Sequence, residues 1–171
     1  MRAFIASPIP IYGEIKYLLN RISLLPSLRV PNTADLHLTY LFLGEVDEIE
    51  ARNIVNSMVK TTIRKVESGF SGITAFPDPS RPRVLVLLLE NPDLVNIYRS
   101  VSEIMPQYAA GQKNFIPHIT VGRFGKKAVM PDIKKLKIPE EKVLIDRICL
   151  YRSTLTASGP VYEELACNQL I

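Results

Sequence analysis

Two short stretches constrain this chain more than any other feature: His37-Leu38-Thr39-Tyr40-Leu41-Phe42-Leu43-Gly44 and Phe115-Ile116-Pro117-His118-Ile119-Thr120-Val121-Gly122-Arg123. The sequence holds two histidines in all, and both sit in the same pattern of His, an apolar residue, and Thr. Strand side chains alternate with a period of two, so each pattern sets an imidazole and a hydroxyl on one face. Leu38, Tyr40 and Phe42 then point the other way in the first stretch, and Ile119 and Val121 in the second. A strand anchored by apolar neighbours on one face holds a polar pair rigidly towards a cleft on the other.

The bulk numbers set the frame for those strands. A chain of 171 residues makes one compact domain or two small lobes sharing an interface. Hydrophobic content of 47% supports a real core and excludes a disordered chain. The net charge of +4 permits a phosphate-bearing partner without arguing for a long nucleic-acid track. No stretch approaches the roughly 18 apolar residues of a membrane span. The opening Met1-Arg2-Ala3-Phe4-Ile5-Ala6-Ser7-Pro8 has too short an apolar part for a signal peptide and reads as a strand ending at Pro8. Cys149 and Cys167 form no short pairing motif, and are read as reduced, buried thiols in a cytoplasmic protein.

Between these landmarks the chain alternates helical and strand periodicities. Pro10 opens a helical pattern through Ile11, Ile15, Leu18, Leu19 and Ile22, which Pro26 stops. Arg29 to Pro31 is read as a loop into the first motif strand, residues 35–43, ended by Gly44. Asp47 is the expected cap of a second helix, with Ile54, Val55, Met58, Val59 and Ile63 on one face and Ser68-Gly69 as its break. Residues 70–76 read as a short strand, 76–83 as a proline-rich loop, and 84–89 as a strand apolar on both faces, hence central. Asn91-Pro92-Asp93 starts a third helix that Pro106 ends. Residues 111–114 lead into the second motif strand.

Five lysines between Lys126 and Lys137 are read as a solvated surface rather than a nucleic-acid contact. Residues 141–153 read as one long strand, with Val143, Ile145, Arg147, Cys149 and Tyr151 on one face. Ser158-Gly159-Pro160 turns the chain into a last strand, 161–167, through a loop that allows either register. The histidines lie 81 residues apart, close to half the chain, and the order of elements around them repeats. These elements add up to an α+β fold with mostly antiparallel sheets.

Two imidazoles and two hydroxyls facing one cleft suit acid–base chemistry at phosphorus. A neutral histidine takes a proton from attacking water, and a protonated one gives a proton to the departing oxygen. An ordinary pKa near 6.5 lets both forms exist around neutral pH. Threonine hydroxyls and backbone N–H groups hold the non-bridging oxygens as charge grows. The sequence offers no Cys/His/Asp cluster at ligand spacing, so no metal and no cofactor are expected.

The chain resembles the two-histidine phosphoesterases, and within them the RNA 2′,3′-cyclic phosphodiesterase family, also called 2′-5′ RNA ligases. The resemblance runs over nearly the whole chain. It is carried by Met1-Arg2-Ala3-Phe4-Ile5-Ala6, His37-Leu38-Thr39 with Phe42-Leu43-Gly44, and Phe76-Pro77 with Pro82-Arg83-Val84-Leu85. It continues in Phe115-Ile116-Pro117-His118-Ile119-Thr120 with Arg123, in Leu150-Tyr151-Arg152-Ser153-Thr154-Leu155, and in Gly159-Pro160-Val161-Tyr162.

The resemblance implies a single domain over residues 1–171, built as two lobes related by a pseudo-twofold axis. Each lobe would carry one His-x-Thr motif, with the site in the groove between them. It implies hydrolysis of RNA 2′,3′-cyclic phosphate ends to 2′-phosphomonoesters, with His37 as proton donor and His118 as proton acceptor. Thr39 and Thr120 would bind the phosphate. Arg123 can pair with phosphate oxygens in a two-pronged contact, provided a bulge or strand end near Gly122 turns it to the face of His118. Phe42 and Phe115 are candidates for stacking on a base, with core packing as the competing reading. The expected partners are RNA ends or nucleoside 2′,3′-cyclic phosphates, with no membrane, no obligate protein partner, and a monomeric state. Two other readings stay open: a non-catalytic module that binds nucleotides or RNA ends, and a 2′-5′ RNA ligase. Pro82-Arg83 has no assigned role.

Overall fold

A computed structural model describes every residue except Tyr12, Thr33, Ala34 and Lys113. Its frame is an antiparallel sheet of eight strands. β1 (Arg2–Pro8) lies between β9 (Arg147–Thr156) and β3 (His37–Glu45), and β10 (Gly159–Gln169) flanks β9. β3 then meets β7 (His118–Phe124), followed by β6 (Val84–Leu89) and β5 (Phe70–Phe76). The two-residue β2 (Leu28–Arg29) also pairs with β7. β4 (Val66–Ser68) and β8 (Val143–Ile145) make a separate two-stranded ribbon. The fold is α+β and mostly antiparallel, as the sequence predicts.

Helices cover one face of the sheet. α1 (Gly13–Ser23) buries Ile15, Leu18, Leu19 and Ile22, four apolar positions on one helical face. α2 (Glu48–Val59) is capped as expected, the Asp47 carboxylate accepting from the Glu50 N–H at 2.8 Å. α3 (Leu94–Ile104) buries Leu94, Ile97 and Val101, and Pro106 opens the short α4 (Pro106–Ala109). Burying a Leu or Ile fully is worth about 1.5–3 kcal/mol, and these helix faces meet Ile5, Leu38, Leu41, Leu85, Leu87 and Ile119 from the sheet in one core. Among the described residues no helix is long and apolar enough to cross a membrane.

Several boundaries differ from the sequence reading. α2 ends at Val59 rather than at Ser68-Gly69, leaving Val59 exposed and Ile63 buried beyond the helix; residues 66–68 find a strand partner in β8. Arg29, read as loop, is strand because β7 offers it an edge. The long strand 141–153 is two strands, because Asp146 separates a part that pairs with β4 from a part that pairs with β1. The regular part of α3 starts at Leu94, after a turn in which the Asn91 side chain accepts from the Asp93 N–H. β1 ends at Pro8 as read, and it is an inner strand. β3 continues to Glu45, with Gly44 at φ +71°, a conformation glycine adopts without Cβ penalty.

The cysteines are not free thiols. Cys149 and Cys167 form a disulfide between β9 and β10. The two strands come into register there because of a bulge between Glu164 and Ala166; without that extra residue Cys149 would face Ala166 instead.

Candidate active site

The two motif strands touch at one register pair, Leu38 opposite Ile119. These are the middle residues of the two His-x-Thr patterns. Antiparallel pairing about that point sets His37 across from Thr120 and Thr39 across from His118. Each imidazole is thereby beside the other motif's hydroxyl, around a local twofold axis through the Leu38–Ile119 pair. Both central residues are fully buried, while His37, Thr39, His118 and Thr120 are half-buried on the opposite face.

Each strand carries an extra residue just after its motif. In β3, Thr39 pairs with Ala6 and Leu41 with Ile5, so Tyr40 is the bulge. In β7, Thr120 pairs with Val86 and Gly122 with Leu85, so Val121 is the bulge. A bulge reverses the facing of every residue beyond it. Tyr40 and Leu41 are both buried, and so are Val121 and Gly122. Arg123 is thereby turned to the His118 face, as its candidate role requires. Phe42 is turned as well, against the plain alternation that places it with Leu38. It pairs with Phe4, whose ring meets His37, and it is 67% exposed.

Tyr40 is tied down where it bulges. Its buried hydroxyl donates to Ser7 Oγ at 2.9 Å, and Ser7 Oγ donates to the Arg147 carbonyl at 2.6 Å, linking β3, β1 and β9. Burial pushes this phenol's pKa well above the ordinary range, so it stays neutral.

The imidazoles are held alike. His37 Nδ1 donates to the Asp35 carbonyl at 2.6 Å, and His118 Nδ1 to the Ile116 carbonyl at 2.7 Å. A carbonyl only accepts, so the proton of each neutral ring sits on Nδ1 and Nε2 is left without a proton, able to accept one. Burial lowers the pKa of both rings, and the carbonyl contacts work against it. Arg123 and His118 lower His37 further.

Aromatic rings wall the site. His37 lies 4.9 Å from the Phe4 ring and edge-on to Tyr162 at 5.0 Å. Tyr151 stacks on Phe4 at 5.2 Å. His118 lies edge-on to Phe76 at 4.9 Å. Arg123 Nη2 donates to the Tyr162 hydroxyl at 3.2 Å, bridging β7 and β10. Among the described residues neither Thr39 nor Thr120 has a hydrogen-bond partner for its hydroxyl, which leaves both free for a ligand.

Phe115 is placed elsewhere. Its ring stacks on Tyr98 at 4.5 Å and packs near Tyr40, so its face is taken up by the core. Pro82-Arg83 gains a role: the Arg83 N–H donates to the Phe76 carbonyl and its own carbonyl accepts from the Phe124 N–H. The loop thus ties β5 to β7 and sets Phe76 against His118. Sequence reasoning missed Phe4, Phe76, Tyr151 and Tyr162 as site residues. The available signal was that all four fall within the stretches carrying the family resemblance.

A cavity of about 1030 Å³ opens from His37 and Thr120. It runs between residues 27–32 of the β2 segment, residues 123–126 at the end of β7, and residues 158–162 of the β9–β10 hairpin.

Comparison with known proteins agrees with this geometry. The sequence profile of the 2′-5′ RNA ligase superfamily matches residues 21–156. A protein of Methanocaldococcus jannaschii named RNA 2′,3′-cyclic phosphodiesterase is 31% identical over 171 residues, covering 95% of this chain and 97% of that one. A protein of Archaeoglobus fulgidus with the same name is 31% identical over 172 residues, covering 96% and 98%. Among solved structures, the TT0787 protein of Thermus thermophilus superposes with a TM-score of 0.78 at 25% identity, covering 99% of this chain and 98% of that one. Apo LigT of E. coli superposes with a TM-score of 0.77 at 21% identity, covering 99% and 96%, and shares the fold.

The fold and the paired motifs are those of a two-histidine phosphoesterase. The chain belongs to the 2′-5′ RNA ligase superfamily.

Proposed function

We propose that this protein hydrolyses RNA 2′,3′-cyclic phosphate ends to 2′-phosphomonoesters, acting as one two-lobed domain. The observation that supports the mechanism is the matched pair of Nδ1–carbonyl bonds, which leave Nε2 of each imidazole without a partner among the described residues, on two strands that meet between the motifs. Water attacks phosphorus and gives its proton to His118 Nε2. The bond from phosphorus to the 3′ oxygen breaks, and His37 Nε2–H protonates that oxygen. The products are a 2′-phosphomonoester and a free 3′ hydroxyl, and solvent returns the protons. The Thr39 and Thr120 hydroxyls donate to the non-bridging oxygens, and Arg123 pairs with their charge. Phe42 offers an uncovered ring for a base to stack on.

The substrate's own charge completes the acid. Burial first, and the Arg123 charge behind it, hold His37 below its ordinary pKa in the free protein. A bound phosphate offsets the Arg123 charge and favours the protonated ring, so His37 becomes a donor as substrate arrives. His37 and His118 handle both proton transfers in this scheme, and Arg123 supplies the positive charge. The same reading has the protein acting on RNA ends or nucleoside 2′,3′-cyclic phosphates, as a monomer.

The test is hydrolysis of a nucleoside 2′,3′-cyclic phosphate with EDTA present, by wild type and by His37→Ala and His118→Ala, with products assigned by phosphorus NMR. A 2′-phosphate from wild type alone supports the scheme. Tight binding without turnover would instead make the protein an RNA-end binding module.

A further inference from the structure

Arg29 and Arg123 are direct cross-strand partners on β2 and β7. Opposite residues of an antiparallel pair share a face, and like charges so placed destabilise the pair. Both side chains line the cavity that opens from His37, and Lys126 lines it with them. Among the described residues none of the three has a carboxylate within ion-pair distance. Asp35 is the one acid among the described residues lining the cavity, and burial raises its carboxyl pKa. Three cations converge on a space bordering the catalytic centre, and no described group of the chain pairs with them as an anion. A cavity of about 1030 Å³ also reaches the upper end of the usual range of about 300–1,000 Å³ for a small-molecule site, more room than a cyclic phosphate alone requires.

We propose that Arg29 and Lys126 bind the phosphodiester immediately 5′ of the terminal nucleotide, making the protein selective for oligonucleotide ends over mononucleotides. The proposal rests on the phosphodiesterase reading of the same site. Arg123 takes the cyclic phosphate on one side of the arginine pair, and Arg29 takes the next phosphate of the chain on the other. The backbone continues between the β2 segment and the tip of the β9–β10 hairpin. Contacts to phosphate carry no sequence information, so the selectivity is for length and not for base.

The experiment compares adenosine 2′,3′-cyclic phosphate with the dinucleotide ApA ending in a 2′,3′-cyclic phosphate. Wild type, Arg29→Ala, Arg29→Lys and Lys126→Ala are assayed for hydrolysis, and for binding of the corresponding 2′-phosphate products. In wild type the dinucleotide has a KM about tenfold below that of the mononucleotide. Arg29→Ala removes most of that advantage and leaves the mononucleotide kinetics unchanged. It also flattens the dependence of log KM on log salt for the dinucleotide by about 0.7. Arg29→Lys, which keeps the charge, retains most of the advantage, and Lys126→Ala gives a smaller loss of the same kind. Equal KM values for the two substrates in wild type would overturn the proposal, and so would an Arg29→Ala loss shared equally by both. Should neither substrate turn over, the phosphodiesterase reading falls, and weaker dinucleotide-product binding by Arg29→Ala alone still upholds this site.

Discussion

β3 and β7 are two solutions to one geometric problem, and they agree almost to the residue. Each runs half-buried histidine, buried apolar residue, half-buried threonine, two buried residues in succession, and then an exposed side chain. Each bulges one residue after its threonine, and each ties its imidazole to the carbonyl two residues back. They part at the side chain the bulge turns out, Phe42 in one strand and Arg123 in the other. They part again in their neighbours: His37 sits among Phe4, Tyr162 and the field of Arg123, while His118 meets the edge of Phe76. The shared frame sets where two proton-transfer groups stand. The unshared residues make them chemically unequal, as one must give a proton while the other takes one.

Removing either histidine tests the shared frame. His37→Ala and His118→Ala are each expected to lower kcat by about 10²- to 10⁴-fold, and the double variant to lower it little further, because the two act as a unit. A single variant that kept near-normal kcat would break the equivalence of the strands.

Exchanging the unshared side chains tests the asymmetry. Arg123→Ala is expected to cost roughly 10- to 100-fold in kcat/KM, the range of a charged hydrogen bond worth about 1.5–3 kcal/mol. Arg123→Lys restores only part of it, since a point charge does not reproduce a two-pronged contact. Phe42→Ala, at an exposed ring, is expected to raise KM about tenfold with kcat held, as stacking is worth about 1–3 kcal/mol per base. Phe42→Tyr keeps the wild-type KM. Equal kcat losses in Phe42→Ala and Arg123→Ala would erase the distinction drawn between the strands.

The pH profile is the finest probe. Both histidines have lowered pKa values in the free protein, and the donor must be protonated. Activity is therefore lost as pH rises through a pKa below the ordinary value of about 6.5, and kcat/KM peaks on the acid side of that value. A bound anion raises both values, so the kcat optimum lies at higher pH. Arg123→Ala relieves His37 of one depressing charge and moves the alkaline limb of kcat/KM upward. A limb that stayed in place would remove Arg123 from the account of His37.

Where the sequence carries a local signal, it locates the elements well. β5 and β6 occupy the residues read for them, 70–76 after the Ser68-Gly69 break and 84–89 as a run apolar on both faces, and the Asp47 cap forms. The bulges leave no mark, because Tyr40-Leu41 and Val121-Gly122 read as ordinary strand; only register with β1 and β6 reveals them. That is why plain alternation puts Phe42 on the wrong face, and why the turning of Arg123 can be stated from sequence only as a requirement. β2 exists because β7 is beside it, and two residues carry no period. The disulfide depends on a hairpin register that the turn sequence leaves open. Phe4, Tyr151 and Tyr162 come from three strands, and their convergence on His37 is a property of the sheet rather than of any one segment.

A single rung joins β3 to β7, and it is the seam of the sheet. On one side stand β10, β9, β1 and β3; on the other, β7, β6 and β5. The two imidazoles stand on either side of that rung, so each half of the chain delivers one proton-handling group to a shared border. A fault in either half's register would shift one imidazole against the other, and so the folding of the whole sheet is checked at this one place.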